Sequence, residues 1–278
     1  MDTMKNIHNY RLNDLFVPAV KYGAALLGVF GLMTSLGCGN KRAERGVFGS
    51  TTPIGEIAVD LDANQSCVRL KECPLGNFAA DALHAYGLNK GYPLTGAFIN
   101  GGGIRFNKDT RADGIYRAGQ WNESLSFEIF PFGNKMAVVH LTGAQLKSTF
   151  ERSVASLPKT YGGFLQVSKG MTIEVDSSKQ AQKIDSTQTA ITTPGERITS
   201  IKIKGVEIDP EATYSFIISD FLSFTSAANT ANDGYVELRN LDISKKEVIN
   251  EDMIQALQFY VSVNTPVRPV EEGRIIIK

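Results

Sequence analysis

The densest chemical cluster in the chain is Phe98-Ile-Asn-Gly-Gly-Gly-Ile-Arg105. Three glycines after an apolar run let backbone approach a ligand closely and offer N–H groups to an anion. Arg105, just beyond, carries the planar fork that grips carboxylate or phosphate with two hydrogen bonds. Glycine runs followed by Arg also occur in plain turns, so both readings stand at this point. Downstream, Phe130-Pro-Phe-Gly-Asn134 sets Phe132 in a Pro- and Gly-flanked loop. Asp220-Phe-Leu222 sets Phe221 at the end of an apolar run. Aromatics at strand ends commonly pack a rim, but two that face each other can sandwich a planar base.

Other chemistries find no residues to carry them. The three histidines, His8, His84 and His140, form no His-x-His or His-Glu-x-x-His pattern. His84 falls on a predicted helix and His140 in a predicted strand, where each reads as structural or exposed rather than as a ligand. There is no Gly-x-Ser-x-Gly nucleophile turn and no Gly-x-x-x-x-Gly-Lys-Ser/Thr phosphate loop. No catalytic residue is therefore assigned, and no metal or other cofactor is expected on this chain. Basic and acidic residues balance, 29 against 29, which leaves no positive footprint for nucleic acid or an anionic membrane surface.

Periodicity marks the elements that must position the cluster. Ile54–Asp62 alternates apolar and polar residues like a half-buried strand. Leu75, Phe78, Ala79, Ala82, Leu83 and Tyr86 recur at helical spacing, closed by Gly87 and Gly91. Residues 94–99 read as a strand running into the glycine turn, and 135–141 as another. Thr142-Gly-Ala-Gln145 has capping-box form, with Leu146, Phe150, Val154 and Leu157 on the helix face behind it. Residues 164–175, 197–208 and 213–221 are predicted strands, and 176–196 a long polar surface loop. Asn250 is the expected cap of a last helix whose inward face holds Met253, Ile254, Leu257 and Val261, and 274–278 an extra strand. Strands and helices mix without a β-α-β rhythm, and no linker interrupts 52–278. The prediction is a single α+β domain.

Residues 1–37 read as a signal peptide. Lys5, Arg11 and Lys21 precede an apolar run over 22–36 that is short for a membrane span. Its end, Ser35-Leu36-Gly37-Cys38, resembles a bacterial lipoprotein processing site, with Cys38 the acylated first residue. Ordinary secretion and an uncleaved anchor are the other readings. Residues 38–51 are polar and without periodicity, a flexible tether. The expected location is outside the cytoplasm, held to a membrane by the N-terminal lipid alone and facing the periplasm or the cell surface. With Cys38 set aside, Cys67 and Cys73 can reach disulfide distance on a turn; two unrelated thiols are the alternative.

From about residue 52 to 278 the chain resembles the C-terminal domain of the 5'-nucleotidases. Eight motifs carry the resemblance, in order: Glu72-Cys-Pro-Leu-Gly-Asn77, Asn100-Gly-Gly-Gly-Ile-Arg105, Pro131-Phe-Gly-Asn134, Leu141-Thr-Gly-Ala-Gln-Leu146, Phe164-Leu-Gln-Val167, Asp220-Phe-Leu222, Asp233-Gly-Tyr235 and Glu272-Gly-Arg-Ile275. The resemblance implies a layered α/β/β/α sandwich of mixed sheets and helices. It implies a nucleotide or nucleoside ligand whose base stacks between Phe132 and Phe221. Asn100 and Gly162 would lie near the base or its sugar, with Gly103 in the same binding set and Asp233 accepting hydrogen bonds from ribose hydroxyls. Arg105 would hold phosphate, helped by a second cation from the 67–73 loop, with Arg69 the candidate and Lys71 the alternative.

Three departures accompany the resemblance. The 67–73 loop carries one extra residue, and a longer stretch precedes Asp233. The family's metallophosphatase domain, which would hold divalent metals, has no counterpart in these residues. Two functions follow. The chain is the substrate-binding half of a split nucleotidase, with a separate metallophosphatase chain as partner; the alternative is a stand-alone lipoprotein that scavenges or senses nucleotides without catalysis.

Overall fold

Apolar strands buried on both faces organise the molecule. The computed structural model describes residues 49–224 and 232–278. The expected signal segment with Cys38, and residues 225–231 ahead of Asp233, lie outside the described residues. In the first half the elements are β1 (Pro53–Ile57), β2 (Leu61–Asp62), α1 (Gln65–Val68), α2 (Pro74–Asn89), β3 (Gly96–Asn100), β4 (Ile115–Tyr116), β5 (Gly119–Asn122) and α3 (Glu123–Ile129). Then come β6 (Lys135–Thr142), α4 (Gly143–Ser153), β7 (Leu165–Val167), β8 (Met171–Val175), β9 (Lys183–Ile184), β10 (Ile191–Thr193), β11 (Ile198–Ile203) and β12 (Val206–Glu207). The chain closes with β13 (Thr213–Ser219), α5 (Asp220–Ser223), α6 (Val236–Asn240), β14 (Lys246–Asp252), α7 (Met253–Asn264) and β15 (Ile275–Ile277).

Two mixed sheets make the frame. One has the order β14-β6-β13-β3-β7, the other β12-β11-β8-β15. In the first, β3 runs parallel to β13 and all other pairs are antiparallel. Side chains alternate across a strand. Ala97, Ile99, Met136, Val138 and Ile217 therefore join α2 and α7 in one apolar cluster. Their neighbours Phe98, Ala137, Val139, Phe216 and Ile218 join α4 and the second sheet in another. The result is a mixed α+β fold with the first sheet buried between two cores.

Several sequence expectations meet their residues directly. Thr142 and Gln145 form a reciprocal capping box at the start of α4. Met253, Ile254, Leu257 and Val261 are all buried on α7. Others are corrected. Asp252 with Gln255, not Asn250, caps α7, because β14 continues pairing with β6 as far as Asp252 and keeps Asn250 inside the strand. The expected strand over 54–62 breaks after Ile57, where the chain turns to exchange hydrogen bonds with Val267. The 164–175 strand divides at a turn with Gly170 at φ +91°. The 176–196 loop contains the small β9–β10 hairpin, whose turn is tied by the Asp185 carboxylate accepting from Thr189 N and Ala190 N. Residues Gly49 and Ser50, within the expected tether, are bonded to the first turn of α3 through Glu123 and Ser124.

Two of the eight motifs lock to each other. The buried Glu72 carboxylate accepts from Asn77 Nδ2, Glu272 N and Arg274 N, each at 2.7 Å. The Arg274 guanidinium, also buried, forks onto Asp81 of α2 at 2.7 and 2.8 Å. The Glu72–Asn77 and Glu272–Ile275 motifs are thus a clasp that fastens β15 to the start of α2.

Candidate functional site

The glycine turn after β3 is where three stretches of backbone converge. A Cβ on Gly101 would stand 2.0 Å from the Val68 carbonyl oxygen, and one on Gly102 would stand 2.8 Å from that of Gly162. Only glycine permits such contact between main chains. The N–H groups of Gly101, Gly102 and Gly103 donate to the carbonyls of Phe164, Gly162 and Asn100, at 2.7, 2.6 and 2.9 Å. The expectation that these amides serve an anion is therefore corrected. They are spent on the 162–164 turn and on closing the glycine turn itself, and any anion is left to side chains.

Those side chains are arginines. Cys67 and Cys73 form a disulfide, with Cα atoms 5.3 Å apart, and Arg69 stands within the loop it closes. Burial, and the Arg105 guanidinium nearby, push the Arg69 side chain below its ordinary pKa, while Asp233 opposes that shift. Its Nε is buried without a hydrogen-bond partner. Arg105 is exposed, and its guanidinium lies 5.1 Å from the centre of the Phe132 ring. Among the described residues neither arginine is in an ion pair. Lys71, the alternative to Arg69, pairs instead with Glu271 at 3.2 Å on the surface.

Asp233 reaches the same place from the far end of the chain. Asn232, Asp233 and Gly234 all have positive φ, 35°, 54° and 71°. Asn and Gly tolerate that region, and the turn is held by its surroundings. Buried Asn232 donates to the carbonyls of Leu222 and Tyr235. The Tyr161 hydroxyl and Arg152 Nε both donate to the Asp233 carbonyl. The Asp233 carboxylate accepts from Asn100 Nδ2 at 2.8 Å. Burial raises its pKa, and the Asn100 bond, Arg152, Arg69 and Arg105 pull the other way. Three guanidinium groups thus act on one carboxylate.

The two phenylalanines differ in setting. Phe132 is 55% exposed, in the loop after α3, with Gly133 at φ +65° just beyond it. A small recess beside it is lined by Asn100, Gly103, Phe130, Asn134 and Ser219. Phe221 is half-buried on α5 against the second core, and Ser219, the residue capping α5, lines that same recess. Gly162 faces Gly102 and Asp233, and a Cβ there would meet Gly102 Cα at 3.7 Å and Asp233 Oδ1 at 4.0 Å, ordinary contact distances. Asn100, Gly103, Arg105, Arg69, Gly162 and Asp233 are thus gathered at one end of β3, and Phe132 borders them.

Three contributors had no signal in the sequence. Tyr161 and Arg152, stacked with the guanidinium 4.9 Å from the ring centre, buttress the Asp233 turn. Gln166 braces the Arg69 loop from beneath. A cavity of about 690 Å³ lies elsewhere, between α4, β11 and the β9–β10 hairpin, and none of the expected site residues lines it. Among the described residues no group of three or more His, Cys, Asp or Glu converges as a metal site.

Comparison with known proteins places the chain in a family. The family model for the 5'-nucleotidase C-terminal domain matches residues 53–231. The human 5'-nucleotidase is 28% identical over 239 residues, 81% of this chain and 37% of that protein. A snake venom 5'-nucleotidase of Gloydius brevicauda is 28% identical over 244 residues, covering 82% of this chain and 36% of its own. The chain thus spans little more than a third of these relatives. A 5'-nucleotidase precursor from Thermus thermophilus superposes with a TM-score of 0.66 at 27% identity, over 82% of this chain and 39% of that one. An NAD nucleotidase from Haemophilus influenzae shares the fold, with a TM-score of 0.60 at 14% identity, over 81% of this chain and 38% of its own. The chain belongs to the 5'-nucleotidase C-terminal domain family.

Proposed function

We propose that this chain binds nucleotides at the end of β3 and holds them for hydrolysis by metals carried on a separate metallophosphatase. The observation that carries the reading is the convergence of Asn100, Arg69, Arg105 and Asp233 beside an exposed Phe132. Phe132 and Phe221 supply aromatic faces for a base, a contact worth about 1–3 kcal/mol that tolerates different bases. Asp233 accepts from ribose hydroxyls through the carboxylate capacity that Asn100 leaves free. Arg105 and Arg69 take the phosphate, Arg105 with its fork unclaimed by any described carboxylate. The described residues do not fit a catalytic metal, so no hydrolytic step is assigned to them.

The site lies in an exported protein on this reading, anchored through Cys38. The Cys67–Cys73 disulfide supports export, since such bonds persist in oxidising compartments. So does the likeness to venom proteins, which are secreted.

Calorimetric titration of the full chain with AMP, UMP and adenosine tests the binding. All three bind on this reading. Phe132→Ala weakens AMP and adenosine alike, by roughly fivefold to a hundredfold. Arg105→Ala weakens AMP far more than adenosine. Absence of heat with every ligand overturns the proposal. Hydrolysis of AMP by the purified chain with added divalent metal and no partner overturns the division of labour.

A further inference from the structure

Beyond the short helix α1 and the Tyr161 N–H that donates to the Arg69 carbonyl at 3.1 Å, one side chain holds the backbone of the 67–73 loop. Gln166 lies on β7, the edge strand of the first sheet, and is completely buried. Its Nε2 donates to the Val68 carbonyl at 3.1 Å and to the Lys71 carbonyl at 2.7 Å. Its Oε1 accepts from Cys73 N at 3.1 Å. The amide thus satisfies main-chain groups on both sides of Arg69. Nothing comparable holds the Arg69 head group, which is in no described ion pair and whose Nε lacks a partner. The guanidinium therefore stands where the loop backbone puts it.

A second residue keeps the brace in place. Gly76, in the first turn of α2, packs so tightly on Gln166 that a Cβ there would lie 2.3 Å from Gln166 Cγ. Any larger residue at 76 must push the amide out of line. The Leu-Gly step of the Glu72–Asn77 motif and the Gln of the Phe164–Val167 motif are accordingly two halves of one device.

We infer that Gln166 is a positioning residue for phosphate recognition: with Gly76 behind it, its side-chain amide fixes the loop that sets Arg69 beside Arg105. The inference rests on the nucleotide-binding reading above and deepens it. Gln166 touches no ligand. A role confined to stability would weaken all ligands together, whereas a role through Arg69 weakens those bearing phosphate.

The test compares AMP and adenosine affinities for the full chain, with its Gln166→Glu and Gly76→Ala variants. Gln166→Glu keeps the side chain's size and the acceptor for Cys73 N but turns both donors into an acceptor facing two carbonyls. Gly76→Ala leaves Gln166 chemically intact and displaces it. Each lowers AMP affinity about tenfold, the scale expected for loss of a charge-assisted contact, and changes adenosine affinity less than about twofold. Equal losses for both ligands, or unchanged AMP affinity in a folded variant, overturn the assignment to Gln166 while leaving the nucleotide reading intact. Wild-type protein that binds adenosine and AMP equally also overturns it, since there is then no phosphate recognition to position. Wild-type protein that binds neither ligand overturns the nucleotide reading and this inference together.

Discussion

Asp233 sits in backbone that a bulky side chain would strain, is half-buried, and carries a charge the site disfavours. Its raised pKa has a definite consequence. Between the ordinary carboxylate pKa and its own higher value, the folded state keeps a proton that the unfolded state has lost. This group's contribution therefore favours folding most at low pH and is lost as pH rises through the folded pKa. Above that point the charge remains as a penalty, offset in part by Asn100 and the arginines. Asp233→Asn removes the charge, keeps an acceptor for Asn100 Nδ2, and suits the positive φ. The variant melts at a higher temperature than wild type at neutral pH and loses the preference for adenosine over its 2',3'-dideoxy analogue. A lower melting temperature at neutral pH would show that the arginines outweigh burial.

Elements meet through their motifs rather than through loops of free design. Glu72 precedes α2 and fastens Glu272 and Arg274 ahead of β15, some two hundred residues along the chain. Its removal takes an acceptor from Asn77 Nδ2 and from the main-chain N–H groups of Glu272, Arg274 and, at 3.4 Å, Ile275, where each buried bond left unmade costs about 1–3 kcal/mol. Glu72→Ala accordingly lowers the unfolding free energy by at least about 3 kcal/mol in urea titration. A loss below about 1 kcal/mol would mean that water replaces the carboxylate and the clasp is dispensable. The glycine turn after β3 obeys the same logic. Its residues are small because main chains touch there, and the functional groups stand just beyond.

At the scale of the whole molecule, the site gathers residues from four distant parts of the chain at one end of the first sheet. The described residues start at Gly49, whose carbonyl accepts from the Ser124 hydroxyl of α3. An N-terminal lipid would hold the site close to a membrane without inserting the fold into it. No helix among the described residues is long and apolar enough to cross one. In phase separation with a mild detergent, the exported wild-type chain enters the detergent phase and Cys38→Ser stays in the aqueous one. A Cys38→Ser chain still found with detergent would exclude lipid on that cysteine as the anchor.

How much of this was legible beforehand differs by kind of feature. The α2 stripe from Leu75 to Tyr86, the Thr142–Gln145 cap and the buried face of α7 follow from spacing, because they are set by neighbours within a few residues. The order of eight motifs pointed to the family, and Arg105 and Phe132 stood out by type and surroundings. The glycine turn was legible as a place of close approach but not as to what approaches. Its amides donate to other carbonyls, and that depends on Gly162 and Phe164 arriving from elsewhere. Asn250 looked like a helix cap until pairing with β6 claimed it for a strand. Gln166, Tyr161 and Arg152 carry no local signal, since their partners lie far along the sequence. Short-range patterning thus settles elements and kinship, while long-range contacts alone decide which polar groups remain free for a ligand, because a hydrogen bond made inside the fold is one no longer offered outside it.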